Sequence, residues 1–118
     1  MSNAAKPAGP YTPAVRAGDW LICSGQVALA DGKLQEGGVR EQTARCVANL
    51  RALLEANGAT LGQVVKTTVF LADIADYTAM NEAYVEAMGD HRPARSAVGV
   101  AGLPLGARVE IEAWAWLG

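Results

Sequence analysis

Histidine is nearly missing from this sequence: His91 is the single one among 118 residues. Cysteine occurs twice, as Cys23 and Cys46. One imidazole and two separated thiols do not make a four-ligand zinc site, so no structural metal is expected. Both cysteines fall in segments that read as a strand and a helix, where a free thiol packs as a small hydrophobe. With no disulfide framework, a cytoplasmic chain is the simplest expectation. Aromatic residues are only 6% of the chain, and none interleave with basic ones. Ten Lys and Arg against twelve Asp and Glu leave a net charge of −2. There is no basic stripe, so nucleic-acid binding lacks its electrostatic footprint. No run approaches the ~18 to 20 apolar residues of a membrane span, and no membrane partner is expected. The opening MSNAAKPAGP lacks the apolar core of a signal peptide. Residues 1–12 read as a flexible lead-in.

What the sequence does contain is apolar bulk, 51% of its residues. Residues 1–118 are expected to form a single domain. DWLICSGQVAL, residues 19–29, is rich in β-formers and ends before the turn signal Asp31-Gly32. A short second strand follows around Lys33 to Gln35. From Val39, apolar positions recur at Thr43, Cys46, Val47, Leu50, Leu53 and Leu54, the spacing of a one-sided helix. Glu41 with Arg45 and Arg51 with Glu55 are pairs four apart on its outer faces. Asn57-Gly58 ends it. Thr60 to Gln63 has the spacing of a capping box around a single helical turn. The next strand is VVKTTVFLA, residues 64–72, with Val65, Thr67, Val69 and Leu71 on one face. Asp73 offers an N-cap for a second helix with apolar positions Tyr77, Met80, Tyr84 and Met88, stopped by Gly89. Two strands, roughly 95–101 and 107–117, close the chain. The order β-β-α-β-α-β-β predicts an α+β fold, one mixed sheet with two helices on one face. In the last strand both faces carry apolar bulk, so the face without helices is expected to be buried against another copy of the chain.

Three places could carry chemistry. On a strand, Arg95, Ala97, Gly99 and Ala101 share one side. Small residues there leave space before a guanidinium, whose fork of donors suits a carboxylate. The plainer alternative is an edge arginine paired with Glu110 or Glu112. Those two glutamates lie on one face with α-carbons roughly 6 to 7 Å apart. Carboxylates that close repel unless a cation such as Arg95 or Arg108 is near. One of them could serve as a general base on water; the alternative is a solvated face or a structural ion pair at a subunit contact. Ser24-Gly25-Gln26 either lets a ligand approach the backbone or is an ordinary strand end. His91 is expected to cap the second helix or meet solvent, and Tyr11 to pack onto the domain.

GPYTPAV, LICSGQV, VVKTTVFLADIADYTAMNEAY, PARSAV and VEIEA together resemble the RidA/YjgF family, the reactive intermediate deaminases, nearly end to end. The resemblance implies the chorismate-mutase-like α+β fold and a homotrimer with clefts between subunits. It implies cofactor-free hydrolysis of enamines and imines such as 2-aminoacrylate and 2-aminocrotonate to 2-keto acids and ammonia. It implies that Arg95 binds the substrate carboxylate and Glu110 positions the attacking water. Tyr11, Ser24, Gly25 and Asn81 would line the cleft, and Ala97 would offer a backbone N–H. Two positions depart from the family: many members have cysteine at the position of Ala97, and some have glutamate at that of Gly99. Together these are expected to widen the pocket. A non-catalytic module holding a small keto acid in the same cleft is the alternative. A ribonuclease, an older label in the family, is disfavoured by the acidic balance and the lone His91.

Overall fold

The computed structural model describes residues 9–118, so residues 1–8 of the expected lead-in lie outside the described residues. The elements are β1 (Ala14–Ala17), β2 (Trp20–Val27), β3 (Leu29–Ala30), β4 (Lys33–Leu34), α1 (Val39–Ala56), β5 (Val64–Leu71), α2 (Tyr77–Met88), β6 (Ala94–Gly99) and β7 (Val109–Trp116). Five strands form one sheet in the order β1-β2-β7-β5-β6. The β5–β6 pair is parallel and the others antiparallel, so the sheet is mixed. β3 and β4 make a separate two-stranded hairpin. The α+β layout with two helices over one face is as expected. β1 was not anticipated. Its sequence, AVRA, is short and mostly exposed, and it exists because Gly18, at φ 61°, turns it back onto β2. Tertiary pairing supplies what local propensity does not.

Burial follows the pleat of β7. Val109, Ile111, Ala113 and Ala115 are fully buried under the helices, with Leu21, Cys23, Val69 and Leu71 beside them. Helix α1 adds Cys46, Val47, Leu50 and Leu54, and α2 adds Met80, Tyr84 and Met88. The small Ala113 and Ala115 let α1 lie close to the sheet centre. In β5 the expected face of Val65, Thr67, Val69 and Leu71 fails at one residue. A bulge between Val64 and Lys66 turns Val65 outward, 41% exposed, and buries Val64. An extra residue in a strand reverses the alternation beyond it.

Helix ends depart from expectation in three details. Asp73 caps a short 3-10 turn, its carboxylate accepting from the Ala75 N–H at 2.9 Å, and α2 starts only at Tyr77. Glu41 does not pair with Arg45; its carboxylate accepts from the Gly38 N–H at 2.7 Å, closing the open end of α1, while Arg45 reaches Gln35. Arg51 and Glu55 form no ion pair either. The cross-helix pair on this surface is Arg40 with Glu82. Asn57 and Gly58, at φ 78°, end α1, and the capping box at Thr60 forms as predicted. His91 does not cap α2 and is only partly exposed. Its Nε2 meets the Val64 carbonyl at 2.6 Å, at the bulged start of β5.

Asn49 ties α1 to the end of β2. Its side-chain amide donates to the Val27 and Leu29 carbonyls at 3.0 and 2.9 Å. Asn49→Ala would leave both partly buried carbonyls without that donor. It is expected to cost roughly 1–3 kcal/mol of unfolding free energy, read from urea denaturation.

Candidate functional site

Two clusters of polar residues stand on opposite faces of the sheet. The first sits at the upper end of β2 and β7. Between Cys23 and Gln26 the β2–β7 register shifts, a bulge on β2 that holds Ser24 and Gly25 out of regular pairing. Ser24 uses both donors on the segment before β1: its N–H donates to the Pro13 carbonyl at 2.8 Å and its hydroxyl to the Thr12 carbonyl at 2.7 Å. Thr12 and Pro13 are thus tied to β2, and Tyr11 lines the same cleft as Gly25. Gly9, Pro10, Tyr11, Ser24, Gly25, Pro104, Glu110 and Glu112 line a cleft of about 510 Å³. Its Pro104 precedes Leu105 and Gly106, both left-handed at φ 63° and 71°.

Gly25 leaves the space that the Glu110 carboxyl occupies. A β-carbon there would fall 2.7 Å from the Glu110 carboxyl carbon. Glu110 lies over the glycine backbone, half-buried, and paired across the sheet with Phe70 and Val27. Its carboxyl titrates above the ordinary carboxylate range, first because burial disfavours the charge and second because Glu112 stands beside it. No cation among the described residues relieves this. Arg108 points elsewhere, toward Asp76 at 3.6 Å, and its backbone N–H donates to Gln42 at 2.9 Å. The expected pairing of Arg95 or Arg108 with the glutamates is absent among the described residues. Beneath β7, the Cys46 thiol is pushed far up by burial and then by Glu110, and Cys23 is raised to about 11 by burial. Both are buried free thiols, as anticipated.

Arg95 belongs to the second cluster, and register explains why. In β6 it pairs with Thr67, which pairs with Ala113, all on the helix-covered face. Glu110 and Glu112 pair with Phe70 and Thr68 on the other face. Within one chain, Arg95 and Glu110 cannot meet. The Arg95 guanidinium lies over the Tyr84 ring at 5.0 Å and the Tyr77 ring at 5.7 Å. It donates to the Tyr77 hydroxyl at 3.2 Å and touches the Met80 sulfur at 3.9 Å. No carboxylate among the described residues pairs with it. Asn81 follows Tyr77 by one turn of α2, and its Oδ1 is buried with no hydrogen-bond partner. Ala97 pairs with Val69 and packs on the core.

The expected opening at Gly99 is not there. Ile74 fills it: a β-carbon on Gly99 would stand 3.2 Å from the Ile74 β-carbon. The missing side chain makes room for the turn before α2 rather than for a ligand. The sequence also gave no sign of the two tyrosines' role. Helical spacing placed Tyr77 and Tyr84 on one apolar stripe, yet Tyr84 is buried and Tyr77 is 41% exposed.

A mixed sheet backed by two helices, with an unpaired arginine and a half-buried glutamate on opposite faces, defines a chorismate-mutase-like α+β protein. The family model for Endoribonuclease L-PSP matches residues 1–117. A RutC family protein of Pyrococcus horikoshii is 43% identical over 97% of this chain and 92% of its own length. The human 2-iminobutanoate/2-iminopropanoate deaminase is 43% identical over 89% of this chain and 78% of its own. The crystal structure of RidA from an Antarctic Psychrobacter superposes with a TM-score of 0.92 at 36% identity, covering 98% of this chain and 95% of that one. E. coli TdcF with bound serine superposes equally well, 0.92 at 32% identity over 100% and 96% of the two chains. The chain belongs to the RidA/YjgF family, whose relatives include named imine deaminases.

Two outcomes follow from the glutamate's packing. Gly25→Ala crowds Glu110 and is expected to cost about 1–3 kcal/mol in thermal melts; adding Glu110→Ala recovers most of the loss, a coupling that a double-mutant cycle measures. A carboxyl raised in the folded state stabilises the fold fully below its unfolded pKa, and that contribution is lost as pH rises through the folded value. Wild type is therefore expected to lose melting temperature, relative to Glu110→Gln, as pH climbs upward from the ordinary carboxylate range. Parallel melting profiles for the two proteins would contradict the burial of this charge.

Proposed function

We propose that the protein hydrolyses small 2-imino acids, and the enamines that tautomerise to them, to 2-keto acids and ammonia. The site is composite: the Tyr11, Ser24, Gly25 and Glu110 cluster of one protomer faces the Arg95, Asn81 and Ala97 cluster of its neighbour in a homotrimer. The observation that carries this is the pair of unmatched charges. Glu110 has no cation and Arg95 has no carboxylate among the described residues. One chain sets them on opposite faces of its sheet, and a heterologous contact between copies can bring one of each together. The exposed apolar side chains of the helix-free face, Trp114, Trp116 and Val98, give such a contact something to bury.

In this mechanism the Arg95 fork holds the substrate carboxylate through two charge-assisted hydrogen bonds. Protonation of the enamine β-carbon with loss of one nitrogen proton gives the imine. Glu110 accepts a proton from water as the oxygen attacks the imine carbon. A solvent proton on the nitrogen completes the carbinolamine; Glu110 then returns its proton to that nitrogen, ammonia departs, and loss of the hydroxyl proton leaves the keto acid. The raised Glu110 carboxyl suits this exchange, because a base is most effective when its pKa approaches the working pH. Ser24 acts through position, holding the Tyr11 segment over the cleft. The half-burial of Glu110 also limits the water that can reach it. A module that binds small amino or keto acids without turnover would use the same Arg95, and the serine bound to TdcF favours such ligands.

Following decay of 2-aminoacrylate separates the two. Arg95→Ala and Glu110→Gln are each expected to lower kcat/KM by about 10²-fold or more. Unfolding and refolding the two inactive variants together at equal amounts is expected to restore about a quarter of the sites, since one random neighbour pair in four has both residues intact. No recovery on mixing would place the site within one chain. Ligand binding with no acceleration by wild type would favour the binding module.

A further inference from the structure

Tyr77 stands where helical spacing would put a core residue, at the start of α2, yet it is 41% exposed. Its hydroxyl oxygen accepts a hydrogen bond from Arg95 Nη2 at 3.2 Å. That leaves the phenolic proton with no acceptor among the described residues. From this geometry we infer that Tyr77 is a second donor of the carboxylate subsite: it holds the Arg95 fork on one side and donates its own proton to the anion bound there. The inference rests on the reading of Arg95 given under the proposed function and adds to it a residue on a different element.

The donor count supports the assignment. A guanidinium has five N–H groups. Tyr77 occupies one and the Met80 sulfur contacts another, so enough remain for two bonds to a carboxylate. A hydroxyl that accepts from a cation becomes a better donor in turn, because bonded chains polarise one another. The guanidinium is also fixed from below. Tyr84 lies 5.0 Å under it and cannot swing away, being 4% exposed with its hydroxyl held by Thr67 at 2.8 Å. The two tyrosines thus differ in task. Tyr84 is a rigid floor whose polar atom is spent inside the core. Tyr77 is a wall whose polar atom is at the surface, beside the fork. Two donors to a carboxylate beside a bonded hydroxyl also call for arginine, since an ammonium lacks the fork.

Calorimetric titration with 2-oxobutanoate, a stable carboxylate of the product class, tests this on the full chain. Tyr77→Phe keeps the ring and removes only the hydroxyl. It is expected to bind 2-oxobutanoate about tenfold more weakly than wild type, the usual loss for a hydrogen bond to a charged group. In turnover of the corresponding imine, KM is expected to rise by a similar factor with kcat within about twofold, because the bond is made in ground state and transition state alike. A merely structural tyrosine would instead lower the melting temperature and leave Kd unchanged. Unchanged Kd in Tyr77→Phe with loss of binding in Arg95→Ala overturns the role of Tyr77 and leaves Arg95 standing. Equal binding by Arg95→Ala, or no binding by wild type, overturns the reading of the site together with this inference.

Discussion

The contact on which the site depends is that of the Glu110 carboxyl with the bare backbone of Gly25. Everything around it is arranged to permit a charge-bearing group at that place. The bulge on β2 lifts Ser24 and Gly25 out of regular pairing, and the absent side chain leaves a hollow of the right depth. Ser24, displaced by the same bulge, turns both of its donors to the Thr12–Pro13 segment and so fixes Tyr11 at the cleft. A single irregularity in one strand therefore brings the adjacent Ser24 and Gly25 together with Tyr11 and Glu110, which come from the two ends of the sequence.

The glutamate is left in an unfavourable setting, and that setting is chemically useful. Half-buried and next to a second carboxylate, Glu110 binds its proton more tightly than a free side chain does. An ion pair with Arg108 would have reversed this. Instead Arg108 bridges toward Asp76 at the start of α2, so the cation nearest in sequence is spent on joining the helices to β7. Among the described residues no cation lines the cleft, and Arg95 is presented at the opposite face, against two aromatic rings.

Much of the fold was legible because periodicity reports burial directly. The stripe from Val39 to Leu54 and the alternation of Val109, Ile111, Ala113 and Ala115 translate into the two layers of the core. Irregular features were not. The bulge that reverses Val64 and Val65 leaves no mark in a pattern of β-branched residues, and β1 is stabilised by its partner rather than by its own sequence. The site was legible as a set of residues and not as a geometry. Arg95 and Glu110 could be picked out, and alternation gave each its side of its own strand. Which sides coincide depends on β5–β6 being parallel and β5–β7 antiparallel, and local sequence does not encode strand order. Gly99 misled for a related reason: a missing side chain marks room without saying who occupies it, and here Ile74 does.

All three tryptophans of the chain gather at one end of the sheet, on the face the helices leave open. Trp20 meets Trp114 and Trp116 edge-on, with ring centroids 5.7 and 4.9 Å apart. Indoles in such contact share excitation, and at wavelengths that tryptophan alone absorbs, nothing elsewhere in the molecule competes with them. The intrinsic fluorescence of this protein is therefore a local optical signal. It reports the wetting of that one surface and is nearly blind to the helices, to Arg95 and to the cleft at Glu110.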